Sequence, residues 1–205
     1  MERLAWKEAL IATVDARLRA APVAPPAFDG WDAQGAYTRI TVSGEFLHDR
    51  ETAVQAVTDL GPGWWILTPL RTADGMILVN RGFVPTDLRA ASSRPAGQPT
   101  GEIRVIGLLR ETEPNGAFLR SNAPEAGRWY SRDVVAIARA HGLTGPVAPY
   151  FIDAGATPNP GGYPVGGLTV VQFPNSHLVY ALTWFGLCGL SLGGAVLVWR
   201  QGRRR

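Results

Sequence analysis

The stretch WWILTPLRTADGMILVN, Trp64 to Asn80, reads as two strands joined by a turn. Trp64–Leu70 and Met76–Asn80 are aliphatic and aromatic, and RTADG between them holds Asp74-Gly75, a pair suited to the positive φ angles of a tight hairpin. Working outward, Thr38–Phe46 alternates as a strand does, and Thr52–Val57, Glu102–Leu109, Tyr150–Asp153 and Leu168–Phe173 read as further strands. Thr86–Gly101 is polar and carries Pro, so it reads as a loop open to motion, and Thr157–Gly167 is a second irregular segment. Two short helices complete the pattern. Trp6, Leu10, Ile11, Val14 and Leu18 recur at helical spacing over Trp6–Arg19. Ser131 is placed to cap a helix through Asp133, Val134, Ile137 and Ala138 that stops at Gly142. With 24 Gly and 16 Pro, the expected fold class is α+β, an antiparallel sheet or partial barrel with few short helices.

The C-terminal region follows a different rule. LVYALTWFGLCGLSLGGAVLVW, Leu178–Trp199, contains 22 residues without a charge, roughly 33 Å of helix against a hydrocarbon core of about 30 Å. A core helix of a domain this small would carry one polar side, so the expectation is a transmembrane helix. Four arginines follow it and no Lys or Arg occurs between His141 and Trp199, which places the tail in the cytoplasm and the preceding domain outside. Tyr180, Trp184 and Trp199 suit the interfacial aromatic belts. Gly189 and Gly193 form a G-x-x-x-G pair that smooths one helix side, although glycine is common in such helices. MERLAWKEALIATVDARLRAAP has neither the apolar core of a signal peptide nor a spanning run, which predicts an upstream transmembrane helix in the natural protein.

Composition excludes several function classes. The net charge of +3 is smaller than the charge of the four tail arginines, so the rest of the chain is slightly acidic and nucleic-acid binding is not expected. Cys188 is the single cysteine, which rules out an intrachain disulfide and a Cys-based zinc site. No phosphate-binding glycine loop, H-E-x-x-H or G-x-S-x-G occurs, and His48, His141 and His177 lack metal-ligand spacing. Asp49 with Glu51 and Glu111 with Glu113 read as solvated loop pairs, so no catalytic residue is assigned and the chain is not expected to be an enzyme.

His177 stands where the chain meets the apolar run. Asn175 or Ser176 can cap the helix, placing His177 in its first turn, where the helix dipole disfavours imidazolium and favours the neutral, ligating form. His177, Tyr180, Ala181 and Trp184 share one helix side, an imidazole above aromatic surface against which a flat porphyrin can lie. An interfacial histidine beside ordinary belt aromatics accounts equally for that spacing.

PNSHLVYALTWFG, Pro174–Gly186, resembles the second transmembrane stretch of the surfeit locus protein 1 (Shy) family, whose N-x-H-L-x-Y-A-x-T-W-F pattern is met by Asn175, His177, Leu178, Tyr180, Ala181, Thr183, Trp184 and Phe185. Gly63–Pro85 resembles the family's T-P-L, turn, V-N-R-G-W-V-P segment, with Phe83 in place of the usual Trp, and Arg3–Pro26 resembles the stretch that follows its first transmembrane helix. The resemblance implies an inner-membrane protein, bacterial with a periplasmic domain and a cytoplasmic C-terminus, or as the alternative mitochondrial, with a first helix absent here. Its divisions would be residues 1–22 as a membrane-proximal helix, 23–174 as the extracytoplasmic domain, 175–199 as the transmembrane helix and 200–205 as the basic cytoplasmic tail.

The same resemblance implies assembly of cytochrome c oxidase through haem a delivery or insertion into subunit I. His177 would be the haem iron ligand, with Tyr180 and Trp184 beside it, and Arg81 would be a candidate partner for a haem carboxylate. Implied partners are oxidase subunit I, other assembly factors, the lipid bilayer and haem a synthase. Two other readings stand beside this one: a cofactor-free scaffold for a subunit I intermediate, and an unrelated membrane-bound hydrolase or transferase.

Overall fold

The computed structural model describes residues 2–117, 119–169 and 177–203, with the side chains of 2–8, 177–181, 197 and 198 outside the description. The chain divides into two compact units, residues 1–169 and 170–205. In the first, α1 spans Glu2–Arg19, β1 Arg39–Phe46, β2 Thr52–Thr58, β3 Gly61–Arg71, β4 Met76–Pro85, β5 Glu102–Glu111, β6 Gly116–Ala117, β7 Arg120–Ser121, α2 Val134–Ala140 and β8 Val147–Ala154.

The main sheet has the order β1-β5-β8-β4-β3-β2. Strand β3 is long enough to pair twice on one edge, with β2 along Thr52–Thr58 and with β1 through Glu45–Arg71 and Phe46–Leu70. The second pairing closes β1, β5, β8, β4 and β3 into a partial five-stranded barrel. Ile40, Val42, Phe46, Leu70, Ile77, Val79, Val105, Leu109, Tyr150 and Ile152 come from all five of these strands and form one buried cluster, the barrel core. Leu78 and Phe151 alternate to the opposite face and pack with Val54, Leu67 and the Val134 and Ile137 side of α2. Strands β4 and β8 are therefore covered on both faces, which is why they read as continuous apolar runs rather than alternating ones.

Several expectations are corrected. The sheet is not wholly antiparallel, because β4 and β8 run parallel; such a pair needs a crossover, and β5 and α2 lie within it. The β3–β4 connection is a four-residue loop, Thr72–Gly75, in which Gly75 alone has positive φ (137°) and Thr72 N–H donates to the Gly75 carbonyl at 2.8 Å. Asp133, not Ser131, caps α2: one carboxylate oxygen accepts from Ala136 N–H and the other from Asn115 N–H, while Ser131 bonds Asn122. Thr86–Gly101 is not a free loop, since Arg94 within it is buried, pairs with Glu51 and donates to the Leu88 carbonyl at 3.1 Å. Nor is Glu113 a free loop carboxylate: its side chain is 38 % exposed, but it is held by Arg132 through two of its nitrogens at 3.0 and 2.5 Å. Of the last expected strand, Leu168 and Thr169 are in no strand and 170–173 lie outside the described residues.

One buried carboxylate joins these elements on the outer face. Asp153 on β8 is 3 % exposed and accepts from Asn80 of β4 at 2.8 Å, Arg110 of β5 at 2.7 Å, Arg132 at 3.2 Å and Thr169 at 2.9 Å. Arg110 and Arg132 also lie over the Phe151 ring, at 5.9 and 4.9 Å from its centroid. Substituting Asp153→Asn removes the charge but keeps the shape, leaving two guanidiniums competing for one amide oxygen. Urea unfolding should show a loss of about 3 kcal/mol, and a variant as stable as the parent would refute this role.

In the second unit, α3 spans His177–Gly202, 26 residues. Its segment Leu182–Gly202 is long and apolar enough to cross a membrane. Every side chain described along it is exposed, including Leu182, Phe185, Leu190 and Leu192.

Candidate functional site

His177 is the first described residue of α3. His177, Tyr180 and Trp184 follow one another at intervals of three and four, so their backbone positions share one side of α3. The side chains of His177 and Tyr180, and the capping positions Asn175 and Ser176, lie outside the described residues. Trp184 is 60 % exposed, and with Leu187, Cys188, Ser191 and Leu192 it borders a shallow groove along the helix. A Cβ built on Gly186, Gly189 or Gly193 meets nothing within 4 Å, so this helix has an open, glycine-lined side.

Arg81 is placed by a β-bulge, in the middle of β4 rather than at a strand end. Between the pairs Leu67–Asn80 and Trp65–Phe83, β3 contributes only Ile66 while β4 contributes both Arg81 and Gly82. The extra residue re-aims its neighbours. Asn80 turns to Asp153 and also accepts from Gly82 N–H at 3.2 Å. Gly82 has φ 127°, and a Cβ there would stand 2.1 Å from the Val165 carbonyl oxygen, so only glycine admits the two-way backbone bridge between Phe83 and Val165.

Arg81 itself is 2 % exposed. Its guanidinium lies 4.9 Å over the Phe46 ring and donates through Nη2 to the Gly97 carbonyl at 2.5 Å and to Asn159 Oδ1 at 3.2 Å. The third partner reveals a tautomer. His48 Nε2 lies 2.8 Å from the Pro99 carbonyl, which can only accept, so Nε2 carries the proton and Nδ1 is left to accept from Arg81 Nη1 at 3.4 Å. Burial, then the nearby Arg81 charge, holds His48 below its ordinary pKa despite the Pro99 bond, and burial pulls Arg81 down to about 10. Glu51, already held by Arg94, is the acidic neighbour that works against this. No carboxylate is within ion-pair distance of Arg81 among the described residues.

Sequence reasoning named His177, Tyr180, Trp184 and Arg81 as candidates and did not connect His48, Asn159, Arg94 and Glu51 with Arg81. His48 and Pro99 are 51 residues apart, and Arg81 and Asn159 are 78 apart. No local spacing could have joined them. Among the described residues no cluster of His, Cys, Asp and Glu could hold a metal ion.

The SURF1 family profile matches residues 1–189, which takes in the barrel, the Arg81 bulge and the first half of α3. The chain belongs to the SURF1 family. It is 39% identical to a SURF1-like protein of Monosiga brevicollis over 97% of this chain and 80% of that one. It is 36% identical to surfeit locus protein 1 of Mus musculus over 92% of this chain, and 36% identical to that of Homo sapiens over 91%. The matches span about two thirds of these mammalian proteins, 66% and 67% of their lengths.

A second histidine of the barrel unit, His141, bonds Thr52 Oγ1 through Nε2 at 2.8 Å and is likewise held low, by burial and then by Arg50. As pH falls the unfolded chain takes up these two protons first, so the stability they confer is complete above about 6.5 and is lost as pH drops through the lowered folded-state values. The unfolding midpoint should therefore be lower at pH about 5.5 than at about 7.5, with a smaller difference in His48→Gln. A flat or inverted profile over that window would contradict the assignment.

Proposed function

We propose that this SURF1-family chain is a membrane-anchored assembly factor for cytochrome c oxidase that assists delivery or insertion of haem a into subunit I. In this reading α3 spans the bacterial inner membrane, with the barrel unit in the periplasm and the basic tail in the cytoplasm. The observation that carries it is the run of family likeness into α3, where His177 begins an apolar helix with exposed side chains and Tyr180 and Trp184 follow at helical spacing. The residue types support the reading, an imidazole followed at helical spacing by Tyr180 and Trp184 in an apolar run. Bound there, haem would supply an iron able to take a nitrogen ligand. His177 would hold that iron, and Tyr180 and Trp184 would lie against the macrocycle and keep water from it. A single ligand would suit a carrier that must release its load to subunit I, with other assembly factors and haem a synthase as the neighbouring partners.

The open glycine side of α3 favours a second reading, a cofactor-free scaffold in which Gly186, Gly189 and Gly193 seat a helix of the subunit I intermediate. One experiment separates the two. Protein purified from cells that make haem a should carry the haem absorption bands, and His177→Ala should reduce haem per protein by about tenfold or more, since even the outer partners of metal ligands carry that much affinity. Unchanged spectra with normal oxidase activity would overturn the haem reading, and loss of oxidase activity on Gly189→Leu with full haem content would favour the scaffold.

A further inference from the structure

Beside Arg81 lies a cavity of about 250 Å³ whose walls include Phe46, Ile103 and Val105 and whose polar lining includes Arg81, Asn159 and Arg104. We propose that this cavity is a binding site for a small amphipathic monocarboxylate, its carboxylate on the Arg81 guanidinium and its apolar body against Phe46, Ile103 and Val105.

Three observations carry it. Arg81 is nearly fully buried yet faces no carboxylate within ion-pair distance among the described residues, and a buried charge without a counter-ion is costly. Its Nε–H has no hydrogen-bond partner, and a buried polar group left unpaired is uncommon. Finally, the charged side chains that line the cavity are both arginines, Arg81 and, at the exposed rim, Arg104, with no acid among them.

A guanidinium is chemically suited to a carboxylate, and a monoanion would neutralise the excess charge. At about 30 Å³ per small group, the volume holds roughly eight heavy atoms, the size of hexanoate. Phosphate has no use for the apolar walls. This site does not depend on the haem reading, because every residue in it belongs to the barrel unit and none to α3.

Calorimetric titration of hexanoate into the full chain in lipid nanodiscs, with empty nanodiscs as reference, tests the proposal. Saturable binding is expected, with hexanol and inorganic phosphate giving none. Arg81→Gln should weaken hexanoate on the order of tenfold to a hundredfold, the loss expected for a charge-assisted hydrogen bond. If Arg81→Gln does not fold, Thr157→Trp on the exposed rim of the cavity blocks it without touching the guanidinium and should abolish binding. His177→Ala should bind hexanoate as the parent does, so failure here is distinguishable from failure of the haem site. Absence of saturable binding, equal binding of hexanol, or full binding by Thr157→Trp would each overturn the proposal. Haemin, whose carboxylates sit on short arms, added in the His177→Ala background separates two sources of the same chemistry: displacement of hexanoate points to a porphyrin arm, and no displacement to a free acid.

Discussion

A carboxylate shielded from water has to find donors, and Asp153 finds four from different parts of the barrel unit. Asn80 brings β4, Arg110 brings β5, Arg132 brings the segment leading into α2, and Thr169 brings the chain that follows β8. Removing any of these leaves charge or polar atoms stranded in a poorly hydrated region, which costs more than the bond itself is worth. The consequence is that the parallel β4–β8 pair, the least local pairing in the sheet, is held from outside by polar contacts as well as from inside by Ile77, Val79, Tyr150 and Ile152. Glu113 reinforces the same cluster. Burial pushes its carboxyl up, but the hydrogen bonds and charge of Arg132, with Arg110 behind, hold it below the usual carboxylate range.

The bulge at Arg81 and Gly82 turns this rigidity to use. In a regular strand Asn80 and Gly82 would share a face, and their backbone would have no slack. With an extra residue on β4, three consecutive side-chain positions serve three purposes: Asn80 joins the Asp153 cluster, Arg81 caps the barrel core over Phe46, and Gly82 admits Val165 against the strand. Arg94 and Glu51 then close the same end by tying the 310 turns of 86–97 to the start of β2. A buried guanidinium is held where its own chain supplies carbonyls and an imidazole but no anion, an arrangement better suited to receiving a charge than to storing stability.

The helix α3 works by another principle. Its length, the uncharged run from Leu178 to Trp199 and the exposed apolar side chains described along it are enough to suit it to lipid, and the backbone positions of His177, Tyr180 and Trp184 follow from helical spacing. This is why the family pattern in Pro174–Gly186 could be read directly. The short helices and most strands were legible for the same reason, since periodicity of 3.6 or 2 is a local property. The α2 cap was misplaced by two residues because Ser131 and Asp133 are both good capping residues, and the choice fell to the one whose second oxygen could also hold Asn115.

The amino-acid sequence alone determined the class of the fold, the family, the apolar C-terminal helix and the histidine at its start, because each rests on patterns within about a dozen residues. Only the tertiary structure decided that one strand pair is parallel, that the 86–101 segment is anchored, and that His48, Arg81, Gly97 and Asn159 meet at one end of the barrel. Those outcomes depend on where strand β3 closes on β1 and which buried charges then have to be paired. Partners from 16 to 78 residues apart are selected by burial and geometry, which leave no spacing in the chain to read.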